Sequence, residues 1–516
     1  MILDGEGISS EPAATFDDLF RRAGVRAPQD LALVDPPNRA QFTDGAPRAL
    51  TYAEADRAIG ALAARLRGLG LSTDAVVAIQ LANTVEAVIA LLGVLRAGMI
   101  AAPLPLLWRR QDIVAALSGI GAKAIVTCAR VGDYAPVETA LLAAAELFSV
   151  RHVCAFGSDL PDGVVPLDEA QTGVAEDFRP PPTRIGQAAA HVAIVTFDVR
   201  SDGIVPVARN HLQSIAGGLT PFLEMDLARQ AVLVSTLPPV SFAGIALGLV
   251  PWLLAGGTLA LHQGCDLDTL TAQCAAHREA TVVVPGPALM PLNDAGRFGA
   301  LVKTLVALWR APERLGACAP WRGNEALVDV IGFGETGLLA ARRATGGLPA
   351  SIPCGAVSAP RHAPDAVTII ETARSGTGSL LLRGPMVPVH AFPPQSAPSF
   401  ASSSAAAATA NAGPAQAGFV DTGFSCRRDG DVFMVNAPPT GITTIGGYRF
   451  RQQAFEAEVT DIDPTATLVT VPNVILGARL AGDAADPPAL RAALRARGVN
   501  PLVAGAFRPR RADAAA

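Results

Sequence analysis

The stretch VVAIQLANTVEAVIALLGVLRAGMIAAPLPLLWRRQDI, residues 76–113, decides the fold. Its short apolar run Ala75–Leu81 predicts a buried strand, and Thr84–Ala97 carries apolar residues at helical spacing. An extended segment, Ile100–Leu106, then leads into a second helical pattern at Ile113–Gly119. This alternation of strand and helix is typical of parallel sheets with crossover helices, so we predict an α/β fold.

The same alternation continues on both sides of this stretch. A helix is predicted at Ala53–Leu69, where Gly70 supplies the C-terminal cap. Further strands are predicted at Ala124–Cys128, His191–Thr196, Ala231–Ser235 and Thr281–Val284. The pattern therefore predicts a large N-terminal unit of stacked mixed or parallel sheets with crossover helices.

Length and composition indicate more than one domain. The chain has 516 residues, which exceeds the usual size of a single compact core. Residues 392–418 are almost entirely Ala, Ser, Pro, Gly, Asn and Gln, and they predict a flexible insertion. A β-rich stretch and a short mixed tail follow. We predict a large domain at residues 1–420 and a small, shortened α+β domain at residues 421–516.

Several classes of protein are disfavoured by the sequence. The formal net charge of -5 gives no electrostatic argument for a nucleic-acid partner. Seven scattered cysteines without a CxxC pair favour a reducing compartment, and the N-terminus lacks a signal-peptide pattern, so we expect a cytoplasmic protein. The apolar stretches Val85–Leu107 and Ala243–Leu261 are interpreted as buried helices and strands rather than membrane spans.

Seven segments carry a more specific pattern through their order and spacing. They are Leu50–Leu71, Val76–Ile113, Leu237–Leu261, GFGETG at Gly332–Gly337, GTGSLLLRGPMV at Gly376–Val387, DTGFSCRRDGDVFMV at Asp421–Val435 and ITTIGGYRFRQQAFEAEV at Ile442–Val459. Together they resemble the class I adenylate-forming (AMP-binding) superfamily, especially its acyl- and aryl-CoA ligases, over nearly the whole chain. The resemblance implies a large N-terminal domain and a small C-terminal domain that rotates between adenylating and thioester-forming positions. It also implies a small carboxylic acid or acyl group as substrate, with ATP, Mg²⁺ and CoA.

The family's phosphate-binding loop departs from its usual form here. In this family a Ser/Thr/Gly-rich loop with a lysine binds the phosphates of ATP. The corresponding stretch is Val195–His211, where the lysine position falls on Val205 or Pro206. Asp198 and Asp202 would repel phosphate, although Arg200 and Arg209 could offset them. The residues that keep the character of the loop, and so are our candidates for cofactor binding, are Thr196, Ser201 and Gly203.

The segment Gly332–Gly337 stands where the family has a motif ending in the magnesium-binding glutamate. That position is Gly337 here, and Glu335 lies two residues earlier. Glu335 and Thr336 are the catalytic candidates that remain. Phe333 and Gly334 are candidates for cofactor binding, since an aromatic ring there could face adenine. Phe333 is equally well explained as a core residue.

Other functional positions of the family have also changed. The ribose-binding aspartate is replaced by Phe424, and Asp421 is either its substitute or a turn residue. No lysine follows Lys303, so the adenylating lysine near the C-terminus is missing, and the arginines Arg508–Arg511 are poor replacements. The resemblance places the substrate pocket around Ser241, Phe242 and Gly244.

These departures leave three hypotheses for function. The chain is a degenerate ligase-like protein, weakly active or inactive, that binds a carboxylate-type small molecule or a partner enzyme, because residues that act as a unit are lost together. Alternatively, it is an active ATP-dependent carboxylate–CoA ligase that forms an acyl-adenylate with rearranged residues. In the third hypothesis a partner supplies the missing lysine. The sequence predicts no metal site, and it argues against rather than for ATP, Mg²⁺ and CoA.

Overall fold

The computed structural model describes residues 14–168, 187–264, 266–294, 298–344, 346–359, 367–393 and 418–507. The predicted insertion at 392–418 lies outside these residues except at its ends, and so do Arg508–Arg511. The strands are β1 Leu31–Val34, β2 Ala49–Thr51, β3 Val76–Ile79, β4 Ile100–Pro103, β5 Ala124–Cys128, β6 His152–Phe156, β7 Val165–Pro166, β8 Val192–Arg200, β9 Gly203–Asn210, β10 Val232–Ser235, β11 Thr258–Leu261, β12 Ala280–Pro285, β13 Val302–Trp309, β14 Ala326–Phe333, β15 Gly337–Arg342, β16 Ile352–Pro353, β17 Gly355–Ala359, β18 Val367–Arg374, β19 Ser379–Arg383, β20 Val420–Asp429, β21 Val432–Ala437, β22 Ile442–Ile445, β23 Tyr448–Arg451, β24 Thr467–Asn473 and β25 Gly477–Asp483.

The helices separate these strands in the way the sequence predicts. They are α1 Phe16–Arg26, α2 Arg39–Phe42, α3 Tyr52–Gly68, α4 Val85–Arg96, α5 Arg110–Leu117, α6 Pro136–Glu146, α7 His211–Met225, α8 Phe242–Gly244, α9 Val250–Ala255, α10 Leu267–Ala276, α11 Leu289–Asp294, α12 Gln452–Thr460, α13 Pro487–Ala496 and α14 Pro501–Ala506. A π-helical segment, Ile245–Leu249, joins α8 to α9. The alternation predicted around residues 76–113 is confirmed by β3, α4, β4 and α5.

Two large sheets form most of the N-terminal part. The first has eight strands in the order β15-β14-β13-β12-β10-β11-β1-β2, and the second has seven in the order β7-β6-β5-β3-β4-β8-β9. Their central pairs are parallel, and the edge pairs β1–β2, β14–β15 and β8–β9 are antiparallel. The fold class is therefore the predicted one of mixed and parallel sheets with crossover helices.

The two apolar stretches lie inside the protein. α4 is buried along its whole length, Arg96 included, because Arg96 pairs with Asp17 and Asp56. Residues 242–255 form consecutive buried helical turns that lead into β11, as the sequence predicts. Among the described residues, no helix is long and apolar enough to cross a membrane.

A third sheet and a small unit complete the fold. The six-stranded sheet has the order β16-β21-β20-β19-β18-β17, so β20 and β21 pair with strands of the N-terminal part. We therefore propose that the small unit begins after Ala437 rather than at residue 421. This unit comprises the hairpins β22–β23 and β24–β25 with α12–α14, and it has its own core around Phe450, Phe455, Leu480 and Phe507.

The carboxyl edge of the eight-stranded sheet faces the small unit. The parallel strands β10–β13 end at Ser235, Leu261, Pro285 and Trp309. The residues that follow these strands line a cavity together with residues of β22–β23. Ligand sites in open α/β sheets usually lie at this edge, where the strand-to-helix connections leave a crevice.

Candidate functional site

The stretch expected to bind phosphate is a tight hairpin. β8 and β9 pair from Val192 to Asn210, and Arg200 lies opposite Gly203, so only Ser201 and Asp202 remain in the turn. Thr196 is buried within β8, and its hydroxyl donates to the Val207 carbonyl at 3.5 Å. Ser201 and Gly203 thus lie at the turn, whereas Thr196 lies farther along β8 and is not part of the same loop.

The turn after β14 places the retained aromatic residue in the core. Phe333 is fully buried, and its ring meets the ring of Phe424 edge to face, with centroids 5.9 Å apart. Gly334 follows with φ +60°, a left-handed conformation that favours glycine. The Arg449 guanidinium lies over the ring of Phe424, 4.9 Å from its centroid. The ring of Phe333 is therefore packed against protein.

Asp421 stabilises a turn, which is one of the two roles that the sequence left open for it. It is partly exposed in β20, and its carboxylate accepts a hydrogen bond from the Gly423 backbone at 2.8 Å. This is the local geometry of an aspartate that stabilises its own turn. Where the resemblance implies a ribose-binding aspartate, the chain has Phe424, whose side chain is buried.

Arg209, at the end of β9, organises the centre of the site. Its guanidinium donates to the backbone carbonyls of Glu335, Thr336 and Met386, and it lies 3.7 Å from the centroid of the Phe242 ring. Burial lowers the pKa of Arg209 to about 10, with the charge of Glu335 opposing that shift. At neutral pH the side chain remains a cation.

The catalytic candidates lie beside this arginine. The carboxylate of Glu335 is buried and accepts a hydrogen bond from the Phe242 backbone at 2.6 Å. It also faces Arg310, with 3.9 Å between Nη1 and Oε1. Arg310 in turn donates to the hydroxyl of Ser241, which caps α8 by accepting from the Gly244 backbone. Thr336 is buried, and its backbone contacts Arg209.

The small unit contributes one more cation. Arg449, in β23, pairs with Asp198 of the hairpin at 2.9 Å, and both side chains are almost completely buried. Gly334 lies against this pair, since a Cβ there would come within 2.3 Å of the Arg449 guanidinium. The pair fixes β23 onto β8 at the point where the phosphate loop was expected.

We call this set the arginine cluster; its members are Arg209, Arg310, Arg449, Asp198 and Glu335. Arg310 and Arg449 are not among the site residues predicted from the sequence. The sequence does indicate that both arginines could be buried, because each lies within or at the end of an apolar or aromatic run. The runs are LVALWR at residues 305–310 and GGYRF at residues 446–450. Arginine is almost never fully buried unless it is paired, so burial of these runs would require a partner for each arginine.

An apolar cavity of about 300 Å³ adjoins the cluster. Arg310 and Ser241 form part of its wall, and the rest is largely aliphatic, with Leu237, Leu270, Leu292 and Leu502. Of the predicted pocket residues, Ser241 lines this cavity, whereas Phe242 and Gly244 do not. Gly244 approaches the Pro238 carbonyl so closely that an added Cβ would lie 2.2 Å from it.

The cluster does not fit a magnesium ion. Mg²⁺ needs free carboxylate or phosphate oxygens in octahedral geometry. Asp198 and Glu335 already neutralise arginines, and the remaining groups are cationic. Within the described parts of the chain, no group of three His, Cys, Asp or Glu side chains is placed to hold a metal.

Comparison with known families and structures agrees with this fold. The family of AMP-binding enzymes matches residues 20–387. MbtA of Mycobacterium smegmatis is similar with 22% identity and TM-score 0.63, covering 94% of this chain and 89% of that one. The amide bond synthetase McbA of Marinactinospora thermotolerans has 18% identity and TM-score 0.68, with 95% and 94% covered. NpsA-ThdA of Klebsiella oxytoca, an artificially fused adenylation–PCP di-domain, has 16% identity and TM-score 0.67, with 96% and 93% covered.

Two curated relatives share only a short segment. Chondramide synthase of Chondromyces crocatus is 37% identical over 100 residues, which is 19% of this chain and 2% of that protein. A beauvericin synthetase of Gibberella fujikuroi is 31% identical over 109 residues, covering 20% of this chain and 3% of that protein. The chain thus spans a very small share of the length of these relatives.

Proposed function

The chain belongs to the AMP-binding enzyme family, and we propose that it is a member that no longer adenylates and instead binds a small carboxylate or acyl ligand. A partner enzyme is the other binding partner that we consider for this chain. The membership is carried by the family match over residues 20–387.

The observation that supports lost adenylation most strongly is the buried pair between Asp198 and Arg449. Asp198 lies in the segment where the family binds the phosphates of ATP, and the pair closes that segment against β23. A triphosphate brought there would meet the carboxylate of Asp198 and would have to displace its buried ion pair with Arg449. Such displacement is costly.

The residues at the expected ribose and magnesium positions also support a loss of adenylation. Phe424 offers no acceptor to a ribose hydroxyl, and it covers the ring of Phe333. Glu335 is held by the Phe242 backbone and by Arg310, so its carboxylate is already occupied. Adenylation brings two anions together and depends on these contacts jointly, so their combined change predicts a loss of many orders of magnitude.

A pyrophosphate-release assay tests the proposal. The full chain is mixed with Mg-ATP and a panel of fatty and aromatic acids, with an active family member as positive control in the same buffer. We expect no acid-dependent pyrophosphate above the background. Acid-dependent release would refute the proposal and establish the alternative, a ligase with rearranged residues. Release that appears only after a second ligase is added, beyond that ligase's own rate, would favour the hypothesis of a partner-supplied lysine.

A further inference from the structure

Two carboxyl groups come together where the small unit packs against the N-terminal part. Leu107, directly before α5, packs against the core of the small unit. Ile442 of β22 lies in the same buried cluster as Ile113 of α5. Asp112 belongs to this part of α5, and its charge acts on the carboxyl group of Glu458 in α12. Two like charges at a contact between units oppose that contact when both are ionised.

The cations nearby are largely engaged with other groups. Arg109, which precedes α5, donates to two backbone carbonyls and lies over the ring of Tyr134, 3.6 Å from its centroid. Arg110 pairs with Glu146 at 3.2 Å. Arg451 of β23 favours the ionised form of both carboxyl groups, but among the described residues neither carboxylate forms an ion pair with it. The two negative charges are therefore not neutralised by direct contact.

The other charged groups around α12 are paired among themselves. On the helix itself, the Glu456 carboxylate accepts a hydrogen bond from the Gln452 side chain at 2.8 Å. Asp461, just after the helix, pairs with Arg497. β24 packs against α12, and its sequence TLVTVPN contains no titratable side chain. The charge balance of the contact therefore depends on the two carboxyl groups and on Arg451.

The surroundings of Glu458 favour its neutral form. Its Oε2 is buried and has no hydrogen-bond partner among the described residues. An oxygen of Asp112 accepts a hydrogen bond from the Arg109 backbone at 3.1 Å, which holds that carboxyl group in place. Burial and then the charge of Asp112 raise the pKa of Glu458 to about 7, and Arg451 opposes this shift. Burial also raises the pKa of Asp112.

We propose that Glu458 and Asp112 form a pH-sensitive latch between α12 and α5, which holds the small unit in place while Glu458 is protonated and weakens when both groups are ionised. The latch does not depend on whether the chain adenylates. A carboxyl group whose pKa is raised by docking stabilises the docked state fully below its ordinary value of 4.5, and this contribution is lost as the pH rises through about 7. Leu106 and Leu107, before α5, also line the cavity, so a weaker latch loosens one of its walls.

Hydrogen exchange of the backbone amides, measured by mass spectrometry on the full chain, tests the latch. The wild type is compared with Glu458→Gln at the same pH, so that intrinsic exchange rates cancel. At pH ~8 the amides of α5 and α12 should exchange about 10-fold faster in the wild type. Each pH unit between the two pKa values weakens docking by up to about tenfold, and solvent screening at this partly exposed site reduces the total. At pH ~5 the two proteins should exchange alike.

Two variants and one internal reference make the result specific. Asp112→Asn removes the partner charge and should also slow exchange of α5 and α12 at pH ~8. Glu456→Gln, on the same helix as Glu458, is the matched control and should behave like the wild type. The amides of α3, which packs against α1 and α4, should exchange alike in every variant. Equal exchange of the wild type and Glu458→Gln at pH ~8, no effect of Asp112→Asn, or a change in α3 that accompanies the change in α5 would overturn the inference.

Discussion

The Asp198→Asn substitution probes the contact that closes the site. It removes the carboxylate that lies 2.9 Å from Arg449, in a pair whose side chains are 5% and 6% exposed. Removing one partner of a buried ion pair costs ~3–5 kcal/mol, because the other charge stays buried without compensation. Asp198 also faces Arg200 at 3.4 Å, so the variant removes the carboxylate that pairs with both Arg200 and Arg449. We expect the free energy of unfolding to fall by about 3–5 kcal/mol.

Urea unfolding followed by circular dichroism measures this loss. The double variant Asp198→Asn with Arg449→Met removes both charges, and it should recover most of the stability because a buried pair replaced as a whole is often nearly neutral. The control is Asp431→Asn, whose pair with Arg428 is exposed and is expected to contribute nothing measurable. If Asp198→Asn is as stable as the wild type, or if the double variant is no more stable than the single one, the reasoning is refuted.

Two further substitutions test the packing around the site. Gly334→Ala should destabilise the protein by ~1–3 kcal/mol more than Gly498→Ala. Both glycines have a positive φ, but only at Gly334 would an added Cβ lie 2.3 Å from Arg449. Equal urea midpoints of the two variants would refute this contact. Burial raises the pKa of Glu458 from 4.5 to about 7. The free energy of unfolding should therefore fall as pH rises through that range, because only the folded protein keeps the proton on this carboxyl group. Glu458→Gln should therefore raise the free energy of unfolding by about 1–2 kcal/mol near pH ~8 and little near pH ~5; an equal gain at both would contradict it.

Much of the fold follows from local patterns in the sequence. Residues 76–113 change from strand to helical periodicity within a few positions, and that change depends only on neighbouring residues. The burial of residues 243–261 was predictable because Pro251 and Gly256-Gly257 divide the stretch into a helix and a strand. That Phe424 and Gly337 replace ligand-binding residues stays a prediction, which depends on the order of the motifs in the sequence.

The arrangement of the site depends on long-range contacts that the sequence pattern does not encode. Arg449 and Asp198 are 251 positions apart, and their pairing depends on how β23 packs against β8. The hairpin turn at Ser201 and Asp202 depends on the register of β8 with β9, because a register is set by the whole strand pair. For the same reason the pairing of β20 with β19, which moves the proposed domain boundary, could not be predicted from composition.

We propose that the protein itself fills the nucleotide position of the family. Calorimetric titration of the full chain with Mg-ATP tests this claim most directly. We predict no saturable heat up to about 1 mM, the upper end of the range in which enzymes usually bind their substrates. Saturable binding below that concentration would contradict it.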